Sequence, residues 1–285
     1  MKSVYNVCWS GGIDSTFIVT QLSRFPVEIH TFYIEGQTFR LSEKQEKAAI
    51  ASILDTLVHD PRTQAEIKPI IIIKNDDGRI KDRDIIKAHR RIYMSLLEEY
   101  KARNNGYLPP AGSQQIYSDG AFISPQYVAC ASLAGYLGEK IEIGLLIDDF
   151  EGNMPVFFGK KTGYEADEQT GRRLLYLIED PLYGDLYCLF KNLRFPIAGQ
   201  KMYKKDVWKW YEKNGYTEVR SKTNFCQAPV MHDDGSWEPC GVCTACIGII
   251  NEGLYAPFTQ DGIARYNDYI NNHVKEPERF RLKGF

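Results

Sequence analysis

The chain predicts an α/β protein: a doubly wound parallel sheet followed by a helical, metal-binding segment. Three observations lead there. Strand-like apolar runs alternate with amphipathic helical stretches through the first half of the chain. A glycine turn, Ser10-Gly11-Gly12-Ile13-Asp14-Ser15-Thr16, joins the first of those runs to the first helical stretch. Four cysteines, Cys226, Cys240, Cys243 and Cys246, crowd into a short segment near the other end.

Residues 4–9 read as the first strand, and the apolar stretch from Phe17 to Leu22 as the helix behind the turn. Residues 27–34 form the second strand. A helix follows over 41–58, with Ala48, Ala49, Ile50, Ile53, Leu54 and Leu57 at helical spacing. The β-branched run 67–73 predicts a strand covered on both faces of a parallel sheet. Residues 75–120 are less regular, with a charged helix over 84–103 and the turn residues Asn104-Asn105-Gly106 and Pro109-Pro110, so they read as an insertion or lid. A helix over 123–137, a buried strand over 141–147 and a polar helix over 163–178 come next. Residues 187–193 are a strand candidate, 202–213 an amphipathic helix and 261–274 a helical tail. The domain division is a nucleotide-binding α/β unit over 1–195 and a C-terminal helical segment with the four-cysteine site over 196–285.

Composition narrows the function classes. The net charge of −2 and pI near 6.2 argue against broad nucleic-acid or anionic-membrane binding. Apolar runs are too short to span a bilayer, and the start lacks the basic and apolar regions of a secretory leader. A cytoplasmic location is therefore expected.

Strand, glycine turn and helix start make the geometry of a phosphate cradle. Glycines at 11 and 12 permit positive φ and close backbone approach, while first-turn amides and the helix dipole face an anion. No Gly-Lys-Ser/Thr follows, so this is not a Walker loop. Mg²⁺ bridging Asp14 and phosphate oxygens would explain an acid among phosphates. An ordinary N-cap after a glycine turn is the simpler alternative.

The cysteine spacing, Cys-x13-Cys-Gly-Val-Cys-Thr-Ala-Cys, suits a closed, structural four-thiolate zinc shell. An iron–sulfur cluster also takes four thiolates, but the ferredoxin pattern wants a further cysteine where Ile250 stands. His232 inside the x13 loop could replace one cysteine as a ligand, but beside Asp233 and Asp234 it reads rather as a solvated loop histidine. Cys8, Cys130 and Cys188 read as buried apolar thiols.

The turn resembles the Ser-Gly-Gly-x-Asp-Ser pyrophosphate loop (PP-loop) of the ATP pyrophosphatases. Together with the late Cys…Cys-Gly-x-Cys-x-x-Cys, it resembles the 7-cyano-7-deazaguanine synthase (QueC-like) family. Two further segments look like that family's Asp-Tyr-Gly-Gln and Ile-Gly-x-x-x-Glu-Asp-Tyr-Ser-Gly: Ile34-Glu35-Gly36-Gln37, and residues 143–152 beginning Ile143-Gly144. Gln200-Lys201 corresponds loosely to a threonine-lysine that opens a late helix. The family's Pro-Gly-Arg-Asn becomes Ser124-Pro125-Gln126-Tyr127, which lacks the arginine, and its Pro-Asp-Cys-Arg-Pro becomes residues 154–158, which lack the acid.

The resemblance implies a HUP/Rossmann-like PP-loop fold in a divergent paralogue, with ATP, Mg²⁺ and Zn²⁺ as cofactors and a homodimer as the assembly. Its reaction adenylates the carboxylate of 7-carboxy-7-deazaguanine or a related acid, forming an amide and then a nitrile. The implied nucleotide contacts are Trp9, Ser10, Gly11, Gly12, Ile13, Asp14, Ser15, Thr16, Gln37 and Gly144, with Asp14, Ser15 and Lys201 catalytic. Two other readings stand beside it: a paralogue from anti-phage (CBASS-type) operons that joins a deazapurine to a protein, and a tRNA-modifying thiolase or lysidine-type enzyme. Short basic pairs such as Lys160-Lys161, Arg172-Arg173 and Lys204-Lys205 argue against tRNA, since each suits a solvated face.

Overall fold

Strand β1 (Val4–Cys8) pairs in parallel with β2 (Glu28–Glu35) on one side and β5 (Ile141–Ile143) on the other. The computed structural model describes residues 2–36, 41–87, 98, 101–102, 105–106, 125–146, 175–189 and 192–273. Beyond β2 lie β3 (Glu66–Ile67) and β4 (Ile71–Lys74), both parallel to it. Beyond β5 lies β8 (Leu193–Phe195), also parallel, followed by the antiparallel strands β7 (Gly184–Leu189) and β6 (Leu175–Asp180). The sheet is thus mostly parallel, with a hairpin at one edge that the parallel expectation did not include.

Helices cover both faces. On one, Val7, Ile29 and Tyr33 pack with α1 (Ile13–Ser23) and α2 (Glu43–His59), through Phe17, Ile18, Leu22, Ile50, Ile53 and Leu57. On the other, Phe32, Ile34, Ile141, Ile143 and Phe195 pack with α3 (Pro125–Leu137). The strand alternation required by the pleat splits the two sets. After β8 come α4 (Pro196–Gly199), α5 (Lys204–Lys213) and α6 (Thr217–Ser221). A small hairpin of β9 (Val230–Met231) and β10 (Trp237–Glu238) precedes α7 (Thr244–Asn251) and α8 (Gln260–His273). No helix among the described residues is long and apolar enough to cross a membrane.

Several sequence expectations are corrected. The run 67–73 is broken at Pro69, which has no N–H for the ladder, and it forms the sheet's edge. Only Ile73 is buried there, while Ile71 and Ile72 are 42% and 47% exposed, so the strand is not covered on both faces. Residues 175–178, expected in a polar helix, start β6, because pairing with β7 supplies ladder partners that local polarity does not reveal. The candidate 187–193 divides between β7 and β8, which run in opposite directions. The helix α7 was not expected at all. Residues 78–80 and 83–87 open the predicted insertion, and there Ile80 and Ile85 are buried in the core against α3, as part of the packed body. The rest of residues 88–124, apart from short helical and turn fragments, and residues 147–174 lie outside the described residues.

Beneath α1 the sheet buries three charges. Glu142 on β5 stands directly opposite Arg194 on β8, Nε to Oε1 3.2 Å, and Arg194 also donates to Asp180 at 2.5 Å. All three side chains are less than a tenth exposed. Burial pushes the Glu142 carboxyl up to about 7, although Arg194 pulls it down. The folded protein therefore takes up a proton between pH 7 and 4.5 that the unfolded chain does not. The cost of ionised Glu142 is full above pH 7 and disappears as pH falls towards 4.5. Glu142→Gln should accordingly gain stability relative to the parent between pH 5 and pH 8, by about 3 kcal/mol. Urea melts at the two pH values test this, and an unchanged difference would refute it.

Candidate functional site

The turn after β1 is built by exclusion of side chains. Trp9 N–H extends the ladder to the Phe32 carbonyl at 2.8 Å, and the chain then turns at Gly11, φ +71°. A Cβ on Gly11 would stand 2.8 Å from the Glu46 carbonyl oxygen of α2. Gly12 is the N-cap of α1, and no side chain caps that helix. On the opposite side Gly144, just past β5, abuts the same helix start: its Cβ would lie 2.4 Å from Ser15 N and 2.5 Å from the Asp14 carbonyl carbon. Only glycine fits.

The sequence-predicted residues divide into two groups. Trp9, Ile13 and Thr16 turn into the core, and the Trp9 indole N–H donates to Thr16 Oγ1 at 2.9 Å. Their side chains brace the turn and are not offered to a ligand. The Ser15 hydroxyl is likewise committed within the turn: it accepts from Ser10 N–H at 3.2 Å and donates to the Gly12 carbonyl at 3.3 Å. Ser10, Gly12 and Asp14 remain at the half-buried rim. Gln37 lies outside the described residues.

Lys201 is exposed, in a turn with φ +54°, whereas Lys204 reaches the site, its Nζ 3.8 Å from Asp14 Oδ2. Lys204 is missed by sequence reasoning that treats Lys204-Lys205 as a solvated pair. Its signal is register: it precedes the buried Val207 and Tyr211 by one and two helical turns, on the inward stripe of α5. Tyr211 fixes that register by donating its hydroxyl to the Ile13 carbonyl at 3.2 Å. Separately, at the carboxyl ends of β2 and β4, an open cleft of about 380 Å³ is lined by Glu35, Gly36, Lys74, Asn75, Asp76 and Lys81.

The four cysteines converge, every sulfur within 4.8 Å of the others. Sulfurs bound at about 2.3 Å around a tetrahedral ion are roughly 3.8 Å apart, and Cys240 and Cys246 Sγ are 3.9 Å apart. Backbone N–H groups of Val242 and Cys243 donate to Cys240 Sγ at 3.4 and 3.3 Å, which suits a thiolate. Contact with the Cys226 thiol draws the Cys243 thiol below its ordinary value. The residues fit a metal such as zinc. Gly241, φ +81°, closes the knuckle against α8, where a Cβ would meet the Gly262 carbonyl oxygen. His232 is exposed on the hairpin and is not one of the clustered groups. Cys8 and Cys130 pack in the α3-facing core. Cys188 lies in β7.

No protein-family model and no curated protein matches this chain.

Gly144→Ala should cost about 3 kcal/mol, because backbone meets backbone and neither side can yield; an unchanged thermal midpoint would contradict the close approach. Elemental analysis should find one bound metal ion per chain, lost in Cys240→Ser.

Proposed function

We propose that this protein is an ATP-dependent, AMP- and pyrophosphate-forming ligase that adenylates the carboxylate of a small acid, 7-carboxy-7-deazaguanine or a relative, for amide or nitrile formation. The observation behind this reading is the uncapped start of α1 at the carboxyl edge of a mostly parallel sheet, with Asp14 and Lys204 facing each other beside it. Ligands of open α/β sheets bind at that edge.

First-turn amides of α1 would hold the phosphates, with the Ser15 hydroxyl keeping the turn in shape. Mg²⁺ held by Asp14 would neutralise phosphate charge and polarise the α-phosphorus. Lys204, nearly buried, would meet the negative charge that grows on the bridging oxygen as pyrophosphate leaves. A carboxylate is a poor acylating group until its oxygen carries AMP. Zinc in the four-thiolate site would be structural, since a closed shell leaves no position for water.

Incubation with ATP, Mg²⁺ and 7-carboxy-7-deazaguanine should release AMP and pyrophosphate. Asp14→Ala and Lys204→Ala should each lower kcat by about 100-fold or more while the thermal midpoint holds. ADP as the product, or full activity without Asp14, would overturn the reading.

A further inference from the structure

The segment that enters the cysteine knuckle lies directly against the glycine turn. Asn224 N–H donates to the Gly11 carbonyl at 2.9 Å, and Asn224 is only 3% exposed. Its side-chain amide donates to the Cys226 carbonyl at 3.4 Å, two residues away on the first cysteine of the cluster. Gly11 has nowhere to retreat, because α2 closes its other side at the Glu46 carbonyl. The same segment grips the start of α2: Leu41 N–H donates to the Gln227 carbonyl at 3.1 Å, and the Gln45 amide meets Met231 Sδ at 3.1 Å. Residues 224–231 therefore strap the turn and the first turn of α2 together from outside.

The strap has little core of its own. Around the knuckle the buried set is Cys226, Cys240 and Cys246, flanked by the partly buried Phe225, Val230, Val242, Cys243 and Phe258. So small an apolar cluster leaves the four thiol groups to be held together by an ion, and metal binding in such a segment is folding free energy. The two large cores on either side of the sheet do not depend on it.

We propose that Asn224 is a positioning residue: its main-chain N–H carries the order of the metal-bound knuckle to Gly11, so that metal occupancy sets the shape of the glycine turn and its affinity for nucleotide. The nucleotide half of this rests on the function proposed above; the clamp itself does not. Coupling of this kind is reciprocal, so nucleotide should also tighten metal retention.

Hydrogen exchange on the full chain tests the clamp without nucleotide. Removal of the metal by a chelator should speed exchange of the amides in residues 10–16 by at least about tenfold, while β1, β2 and α3 keep their protection, and Zn²⁺ should restore the turn. Unchanged exchange over 10–16, or equal loss of protection everywhere, would overturn the clamp. With metal retained, Asn224→Pro deletes the N–H and should weaken Mg·ATP binding about tenfold, mainly as a raised KM with kcat little changed. Asn224→Ala keeps the N–H and loses only the amide bond to the Cys226 carbonyl, so it should weaken Mg·ATP binding clearly less than Asn224→Pro. Equal affinity in both variants would refute the positioning role, whereas a parent chain that binds no Mg·ATP would refute the proposed function and leave the exchange result to judge the clamp.

Discussion

The first turn of α1 is held between backbone atoms on two sides, and the rest of the site follows from that contact. Gly11 meets the Glu46 carbonyl of α2, and Gly144 meets the peptide between Asp14 and Ser15. Neither contact has room for a Cβ, so the turn, the entry to α2 and the exit of β5 meet backbone to backbone. Close backbone packing of this sort leaves the helix start without a side-chain cap. The internal bonds of Ser10, Ser15, Trp9 and Thr16 brace the same turn.

Polar groups inside the molecule show a second constraint. The sheet buries Glu142, Arg194 and Asp180 on the face that also carries α1, and pairing offsets part of the desolvation cost. Lys204 and Asp14 are likewise close but remain partly solvated, at 11% and 23% side-chain exposure. The first group ties β5, β8 and the β6–β7 hairpin together; the second stands at the open edge, where a charged ligand has access. Burial, more than residue type, separates a structural ion cluster from a candidate chemical one.

Much of the architecture is legible in sequence because its periods are local. Residues 4–9 and 27–34 read as strands, and the spacing from Ala48 to Leu57 reads as a helix, since each pattern depends only on neighbours a few positions apart. The cysteine cluster is equally legible, because four thiols so close in sequence mark a metal shell, and the fold brings their sulfurs together. The edge position of Ile71 and Ile72, the antiparallel hairpin and the strand at 175–178 are not legible. Each depends on which segment lies alongside, and that choice is made by distant residues.

The same division holds at the site. Sequence by itself determines the glycine turn, the acid at Asp14 and the thiol quartet, for these follow from backbone freedom, charge and short-range spacing. Only the tertiary structure decides that Lys204 and not Lys201 reaches Asp14, that Trp9 and Thr16 face inward, and that Asn224 lies on Gly11. Those outcomes depend on helical register and on contacts across some two hundred residues of chain, which packing of the whole core sets and no local pattern encodes.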